Sequence, residues 1–242
     1  MRHIRFYVTG PLAAHSQFAL GEDAAHHAAN VLRLKPGAEA FVFNGEGGEY
    51  RATIMESSKK TVVIQTRDFN PVDNESPLHT HLAIGLSRGE RFEWVLQKAT
   101  ELGVTEITPL FSERTEVKWK AGREDKIRER WRKILINACE QCYRNRLPRL
   151  HEPVGLDDLL QRENSESKWI LHPATAAHPA DGARPQSVCL LVGPEGGFSE
   201  AEVNSALKRG FAPLTLGPRI LRTETAPLAA LSILQARWGD LA

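Results

Sequence analysis

Near the C-terminus an apolar run opens into Gly193-Pro194-Glu195-Gly196-Gly197 within the stretch "LLVGPEGGFSEAEV" (190–203), and a helix start follows at once. Glycines at such a place let a ligand approach bare backbone amides and carbonyls, although a strand-to-helix turn with φ > 0 needs them too. The chemistry is not that of a polyphosphate cradle. A phosphate loop reads G-x-x-x-x-G-K-[ST], and this one has no Lys. A dinucleotide fingerprint would be G-x-G-x-x-G opening an N-terminal βαβ unit, which is also absent.

A second stretch repeats the arrangement. "LGPRILRTETAP" (216–227) sets Gly217-Pro218, Arg219, Arg222 and Glu224 in a loop, with Ile220 and Leu221 among the charges. Apolar residues there point to packing on something flat, either a ligand or the loop's own domain.

Other reactive residues read as structural. Cys139-x-x-Cys142 imitates a redox pair, but redox pairs sit at a helix N-terminus, which lowers the thiol pKa. This one falls late in a long helical pattern, and no second cysteine pair completes a zinc site. The nine histidines show no ligand spacing, so no metal is expected.

The elements that must position these loops follow from periodicity. Strand patterns "IRFYV" (4–8), "AFVFN" (40–44), "GEYRATIM" (48–55) and "TVVIQTR" (61–67) are rich in β-branched and aromatic residues. A short helix (22–34) interrupts them. A small β-barrel of about seventy residues is the natural closure. "NPVDNESP" (70–77) reads as a linker. Beyond it strands at 81–87, 106–111, 168–173, 187–194 and 214–217 alternate with helices at 90–103, 124–144, 199–210 and 225–238. Such alternation predicts an α/β parallel sheet covered on both faces. Ser199 with Glu202 forms a capping-box pattern. Ligands in such sheets sit beyond the carboxyl ends of the strands, where Gly193–Gly197 falls. The expected domains are 1–70, a linker at 71–78, and 79–242.

Composition sets the class. The 242 residues are 41% hydrophobic and 25% charged, with three cysteines. That is ordinary globular usage, with too few cysteines for a disulfide scaffold. No apolar run approaches the roughly 20 residues that span a bilayer, and no h-region follows Met1–Arg5. A cytoplasmic protein without a membrane partner is expected. Net charge is only +1, but residues 123–149 hold nine Lys/Arg against four acids. By itself that is a solvated helix face or a phosphate-binding one.

The two loops together resemble the SPOUT methyltransferases, and within them the RsmE family. "RFYV" (5–8), "HHAANVLRLKPG" (26–37), "NGEGGEYRATI" (44–54), "KATELGVTEITPLFSERT" (98–115), "ACEQCYRNRLPRL" (138–150) and "LHP" (171–173) extend the resemblance over nearly the whole chain, in order. It implies a PUA-like RNA-binding barrel followed by a trefoil-knotted methyltransferase domain. It implies S-adenosylmethionine as methyl donor and N3 of a uridine in small-subunit (16S) ribosomal RNA as target. The substrate would be the rRNA or the small ribosomal subunit, and the enzyme a homodimer closed partly by helix 225–238. The alternatives are a SPOUT enzyme for another nucleotide or a ribose 2′-OH, and a non-catalytic RNA-binding assembly factor.

The resemblance also assigns residues. The donor would sit bent against Leu171, Val192 and Gly193, Pro194, Glu195, Gly196, Gly197 on one side. Leu216, Gly217, Ile220, Leu221, Thr225 and Ala226 would form the other. A sulfonium methyl is already activated, so alignment and a free lone pair on N3 remain to be supplied. N3 carries a proton. Arg222 can offset charge moving onto O2 and O4, while Glu140 or Glu224 can accept the proton. Arg2, Arg5, Arg33, Lys35, Arg144, Arg146 and Arg149 are the candidates for RNA phosphate.

Overall fold

The computed structural model describes residues 3–117, 122–172 and 184–241. The chain forms two compact units, Met1–Glu75 with Ile136–Leu147, and Ser76–Leu135 with Pro148–Ala242. The expected boundary at 71–78 left out the second segment of the first unit. Hydrogen bonding explains the difference. Arg5 donates to the carbonyls of Cys139 and Arg144, and Asn145 donates to the carbonyl of Val72.

In the first unit, β1 (Arg5–Tyr7), β2 (Gln17–Ala19), β3 (Glu39–Phe43), β4 (Glu49–Ser57) and β5 (Val62–Asn70) form one sheet in the order β1-β3-β4-β5-β2. β1 pairs with β3 in parallel, and the other pairs are antiparallel. Alternate residues, Ala40 and Val42, Ala52 and Ile54, Val62 and Ile64, share one buried cluster with Phe6. That is the period of two expected of a half-buried sheet. The expected helix at 22–34 is shorter: α1 (Glu22–His26) runs into a π-helical turn at His27–Val31. β2 is three residues long, too short to announce itself by pattern.

The second unit contains β6 (His79–Gly85), α2 (Glu90–Glu101), β7 (Glu106–Phe111), α3 (Glu124–Cys142), β8 (Arg149–Leu150), β9 (Val154–Gly155), α4 (Leu156–Arg162), β10 (Ser167–Leu171), β11 (Ser187–Val192), α5 (Glu200–Lys208), β12 (Ala212–Leu214) and α6 (Ala226–Trp238). α3 passes out of this unit after Leu135. Strand order is β12-β10-β11-β6-β7-β8, with β9 also on β7, and the paired strands are parallel.

Side-chain alternation sorts this sheet into two cores. Leu82, Ile84, Leu190 and Val192 pack with Phe92, Val95, Leu96 and Ala99 of α2 and with Leu231 and Leu234 of α6. Ala83, Cys189, Leu191 and Ile170 face α4 and α5 instead. A sheet buried on both faces needs this continuous apolar run. Among the described residues no helix is long and apolar enough to cross a membrane.

Candidate functional site

Three strands end side by side and release their loops at one edge of the second unit. β10 ends at Leu171, β11 at Val192 and β12 at Leu214. In the loop after β11, the N–H of Gly197 donates to the carbonyl of Pro194 at 2.8 Å, which closes a turn with Glu195 and Gly196 at its tip. Ser199 then starts α5 with the expected capping box. Its hydroxyl accepts from Glu202 N, and its own N–H donates to the Glu202 carboxylate at 2.8 Å. The other Glu202 oxygen accepts the Glu113 N–H, also at 2.8 Å. Thus the helix cap also anchors the segment that follows β7.

The glycines of this loop have separate reasons. A Cβ on Gly193 would meet the backbone of Gly197 and Phe198 at 3.0–3.1 Å, so Gly193 is set by the loop's closure on itself. Gly196 abuts Arg114, whose guanidinium donates to the Gly196 carbonyl at 3.0 Å. Gly197 and Gly217 have φ of 66° and 91° and no neighbour within 4 Å of a built Cβ. Among the described residues, these two are the glycines of the two loops that leave open space beside the backbone.

The loop after β12 faces this turn. The carbonyl of Arg222 accepts the N–H groups of Thr225 and Ala226 at 2.9 Å, winding the chain into α6. Between the loops lies a cavity of about 370 Å³. Of the residues named for the donor, Leu171, Val192, Gly193, Pro194, Glu195, Gly196, Gly197, Leu216, Gly217, Ile220, Leu221 and Ala226 line it. Thr225 does not. It is exposed and stands at the N-cap of α6.

Sequence reasoning missed Arg114, His172, Phe198, Leu214, Thr215 and Thr223, which also line the cavity, as does Arg219, noted in the second loop but not assigned to the donor. Gly85 was missed as well. A Cβ there would stand 2.4 Å from the Pro194 nitrogen, so Gly85 lets the loop cross the end of β6. A glycine inside a strand is the signal that could have revealed it.

The wall is mostly apolar side chains and bare backbone, with Arg114 and Arg219 as its cations. That donor set suits a flat, uncharged ring system better than a string of phosphates. Glu195 at the tip is held through its carboxylate, which lies 3.4 Å from the Arg91 guanidinium.

The acid and base candidates separate. Arg222 projects into solvent, with Glu224 4.0 Å away. One Glu224 oxygen is buried and has no hydrogen-bond partner among the described residues. Glu140 belongs to the other unit, where its carboxylate accepts the Tyr7 N–H at 2.8 Å. Burial raises it to about 6, against that hydrogen bond and the nearby Arg5.

Two RNA candidates are corrected. Arg5 is buried and bonded to Glu49, Asn145 and two carbonyls, which leaves no face for a phosphate. Arg144 is buried against Glu75. Both hold the first unit together. Arg146 pairs with Asp73 at 3.3 Å and stays half exposed. Arg33, Lys35 and Arg149 are exposed, and Arg2 lies outside the described residues. Part of the basic helix is also neutralised, Arg130 by Glu93 and Arg128 by Glu152. Cys139 is buried, its thiol pushed up to about 12 chiefly by that burial, which fits packing and not redox work.

Comparison with known proteins bears on the same site. Residues 74–235 match the model of an RNA methyltransferase domain, and residues 20–66 that of an RNA methyltransferase PUA domain. A relative from Buchnera aphidicola, named ribosomal RNA small subunit methyltransferase E, is 35% identical over 98% of this chain and 94% of its own length. A Bacillus subtilis protein of the same name is 34% identical over 90% and 89%. A solved Legionella pneumophila chain with bound cofactor SAM has a TM-score of 0.97 and 44% identity, with both chains fully covered. The Neisseria gonorrhoeae ribosomal RNA small subunit methyltransferase E, bound to S-adenosyl methionine, has a TM-score of 0.94 and 38% identity over 99% of this chain and 100% of its own.

Proposed function

The chain belongs to the RNA methyltransferase family, with that family's PUA domain at its N-terminal end, and from this premise we propose that it methylates N3 of a uridine in small-subunit rRNA. It is a methyltransferase that acts on 16S rRNA with S-adenosylmethionine as donor. The observation that supports the reading is the cavity that the loops after β11 and β12 share with the end of β10.

The residues present fit the donor. Leu171, Val192, Leu216, Ile220 and Leu221 offer an apolar slot, and Gly197 and Gly217 leave open backbone beside it. Bound there, S-adenosylmethionine supplies an electrophilic methyl group on a sulfonium. The protein's part is alignment and charge. Arg114 holds the Gly196 carbonyl and so fixes the tip of the wall. Glu195, on that tip, is placed to face positive charge. Arg222 offsets the charge moving onto O2 and O4 as N3 gives up its proton. Glu224 shares the loop with Arg222 and is the carboxylate this reading favours as proton acceptor. N3 lies on the Watson–Crick edge, so the target base is unpaired or flipped out when it reacts.

Arg33, Lys35, Arg146 and Arg149 are the exposed cations proposed for RNA phosphate. Residues 215–226, which run from β12 past the Gly193–Gly197 loop into α6, are proposed to close the trefoil knot. The part-exposed Ile233 on α6 supports a homodimer closed there. The domains we propose are a PUA-like unit for RNA and a catalytic unit beginning near residue 76. Two measurements test the reading. Calorimetry with S-adenosylmethionine should give one site per chain. Mass spectrometry of small-subunit rRNA treated with the enzyme should place the new methyl on uridine N3. A methyl on another position or on ribose would replace the target, and no binding heat would remove the enzyme reading.

A further inference from the structure

The opposite edge of the same sheet carries a second cavity, of about 450 Å³, at the amino ends of β6, β7 and β11. His79, His81, Glu106, His151 and Glu163 are among the residues that line it. The methyl-transfer reading uses none of them. β11 pairs with β6 so that Cys189 stands beside His81 in one row of the parallel sheet. Side chains in one row share a face. Glu163, which caps the C-terminal end of α4, brings its carboxylate to that row. Ligand atoms of His81, Glu163 and Cys189 all lie within 4.8 Å of one another.

The outward atoms of these groups are already held. His81 Nε2 lies 2.7 Å from Thr108 Oγ1. One Glu163 oxygen accepts the Ser165 N–H at 2.8 Å. The inward atoms, His81 Nδ1 and the other Glu163 oxygen, are 2.6 Å apart, bridged by one proton. A ring nitrogen and a carboxylate each fixed from behind, with their remaining atoms converging, is how outer partners orient metal ligands. An imidazole nitrogen, a carboxylate oxygen and a thiol sulfur form the mixed set that selects zinc over magnesium or calcium, which take oxygen ligands.

We propose that His81 Nδ1, Glu163 Oε2 and Cys189 Sγ bind a divalent transition-metal cation, zinc by preference, with a water from the cavity as fourth ligand. The carboxylate and the thiolate balance its two charges. On binding, the cation takes the place of the bridging proton, which passes to the other ring nitrogen of the neutral imidazole. That proton then sits on Nε2 and is donated to Thr108 Oγ1, and the Cys189 thiol gives up its proton to water. The ion ties the end of α4 to β6 and β11, so its effect is on stability, away from the methyl-transfer site.

The test uses the full chain stripped by a chelator and titrated with Co²⁺ alone, followed by absorbance, with Zn²⁺ in a parallel thermal melt. Expected is one equivalent of Co²⁺ with a thiolate-to-cobalt charge-transfer band, and a higher Tm with Zn²⁺. The band should vanish in Cys189→Ser and persist in Cys142→Ser. Glu163→Gln is nearly isosteric and should keep the fold, verified by circular dichroism, while weakening Co²⁺ at least tenfold. No band at saturating Co²⁺, a band that survives Cys189→Ser, or unchanged affinity in Glu163→Gln would overturn the proposal.

Discussion

The Cα of Gly193 faces the backbone of Gly197 so closely that a methyl group on it would stand 3.0 Å from the Gly197 carbonyl carbon. Backbone cannot swing aside as a side-chain tip can, so Gly193→Ala forces the turn open. Overpacking of this kind costs on the order of 1–3 kcal/mol. We expect a lower Tm and at least tenfold weaker S-adenosylmethionine binding by calorimetry. Gly217→Ala meets no neighbour and carries only the cost of its positive φ, so its effect on Tm should be smaller. Equal effects would show that crowding is not what Gly193 relieves.

Arg5 and Arg33 should behave as opposites. Arg5→Ala leaves Glu49 buried without its cation, a loss of about 3–5 kcal/mol by the measure of broken buried pairs. Thermal melts should show it unfolding early. Arg33→Ala and Lys35→Ala touch exposed side chains and should leave Tm within a few degrees. Their signature is in RNA binding, where each lost phosphate contact reduces the slope of log K against log salt by about 0.7–0.9. An unchanged slope removes them from the RNA surface.

Glu140 makes stability fall as pH rises. Its folded value of about 6 lies above the ordinary 4.5, so the folded state holds the proton longer. The stabilisation is complete below pH 4.5 and is lost as pH climbs through 6, about 2 kcal/mol in all. Glu140→Gln keeps an acceptor for the Tyr7 N–H and removes the titration. Denaturant unfolding between pH 4.5 and 7 should flatten by that amount in the variant. A difference of the opposite sign would mean that the carboxylate is better stabilised in the fold than its burial implies.

Arg222→Ala should separate binding from chemistry. The side chain is exposed and does not line the cavity. Cofactor affinity should stay within twofold, while kcat falls about a hundredfold if its charge acts on the transition state. Unchanged kcat would remove Arg222 from the mechanism.

The chain itself carried the loops. Gly193–Gly197 and Leu216–Leu221 were legible because each lies between a strand pattern and a helix pattern, and the sheet then delivers both to one edge. Packing over the end of β6 left only a glycine within a strand pattern, and hydrogen bonding across loops left no trace. That is why Gly85 and Arg114 were missed: their partners lie 109 and 82 positions along the chain, Pro194 and Gly196 respectively.

Charge was the least legible property. Arg5 and Arg33 are the same residue type, and composition treats them alike. Only the fold buries one among carbonyls and a carboxylate and leaves the other in water. The same holds for His81, Glu163 and Cys189, whose spacing along the chain suggests no common site. Local pattern determines which segments become strands and helices, because periodicity and capping act within a few residues. Strand register decides which distant side chains meet, because pairing energy is summed over whole strands. Here it set Cys189 beside His81, a neighbourhood that spacing along the chain cannot express.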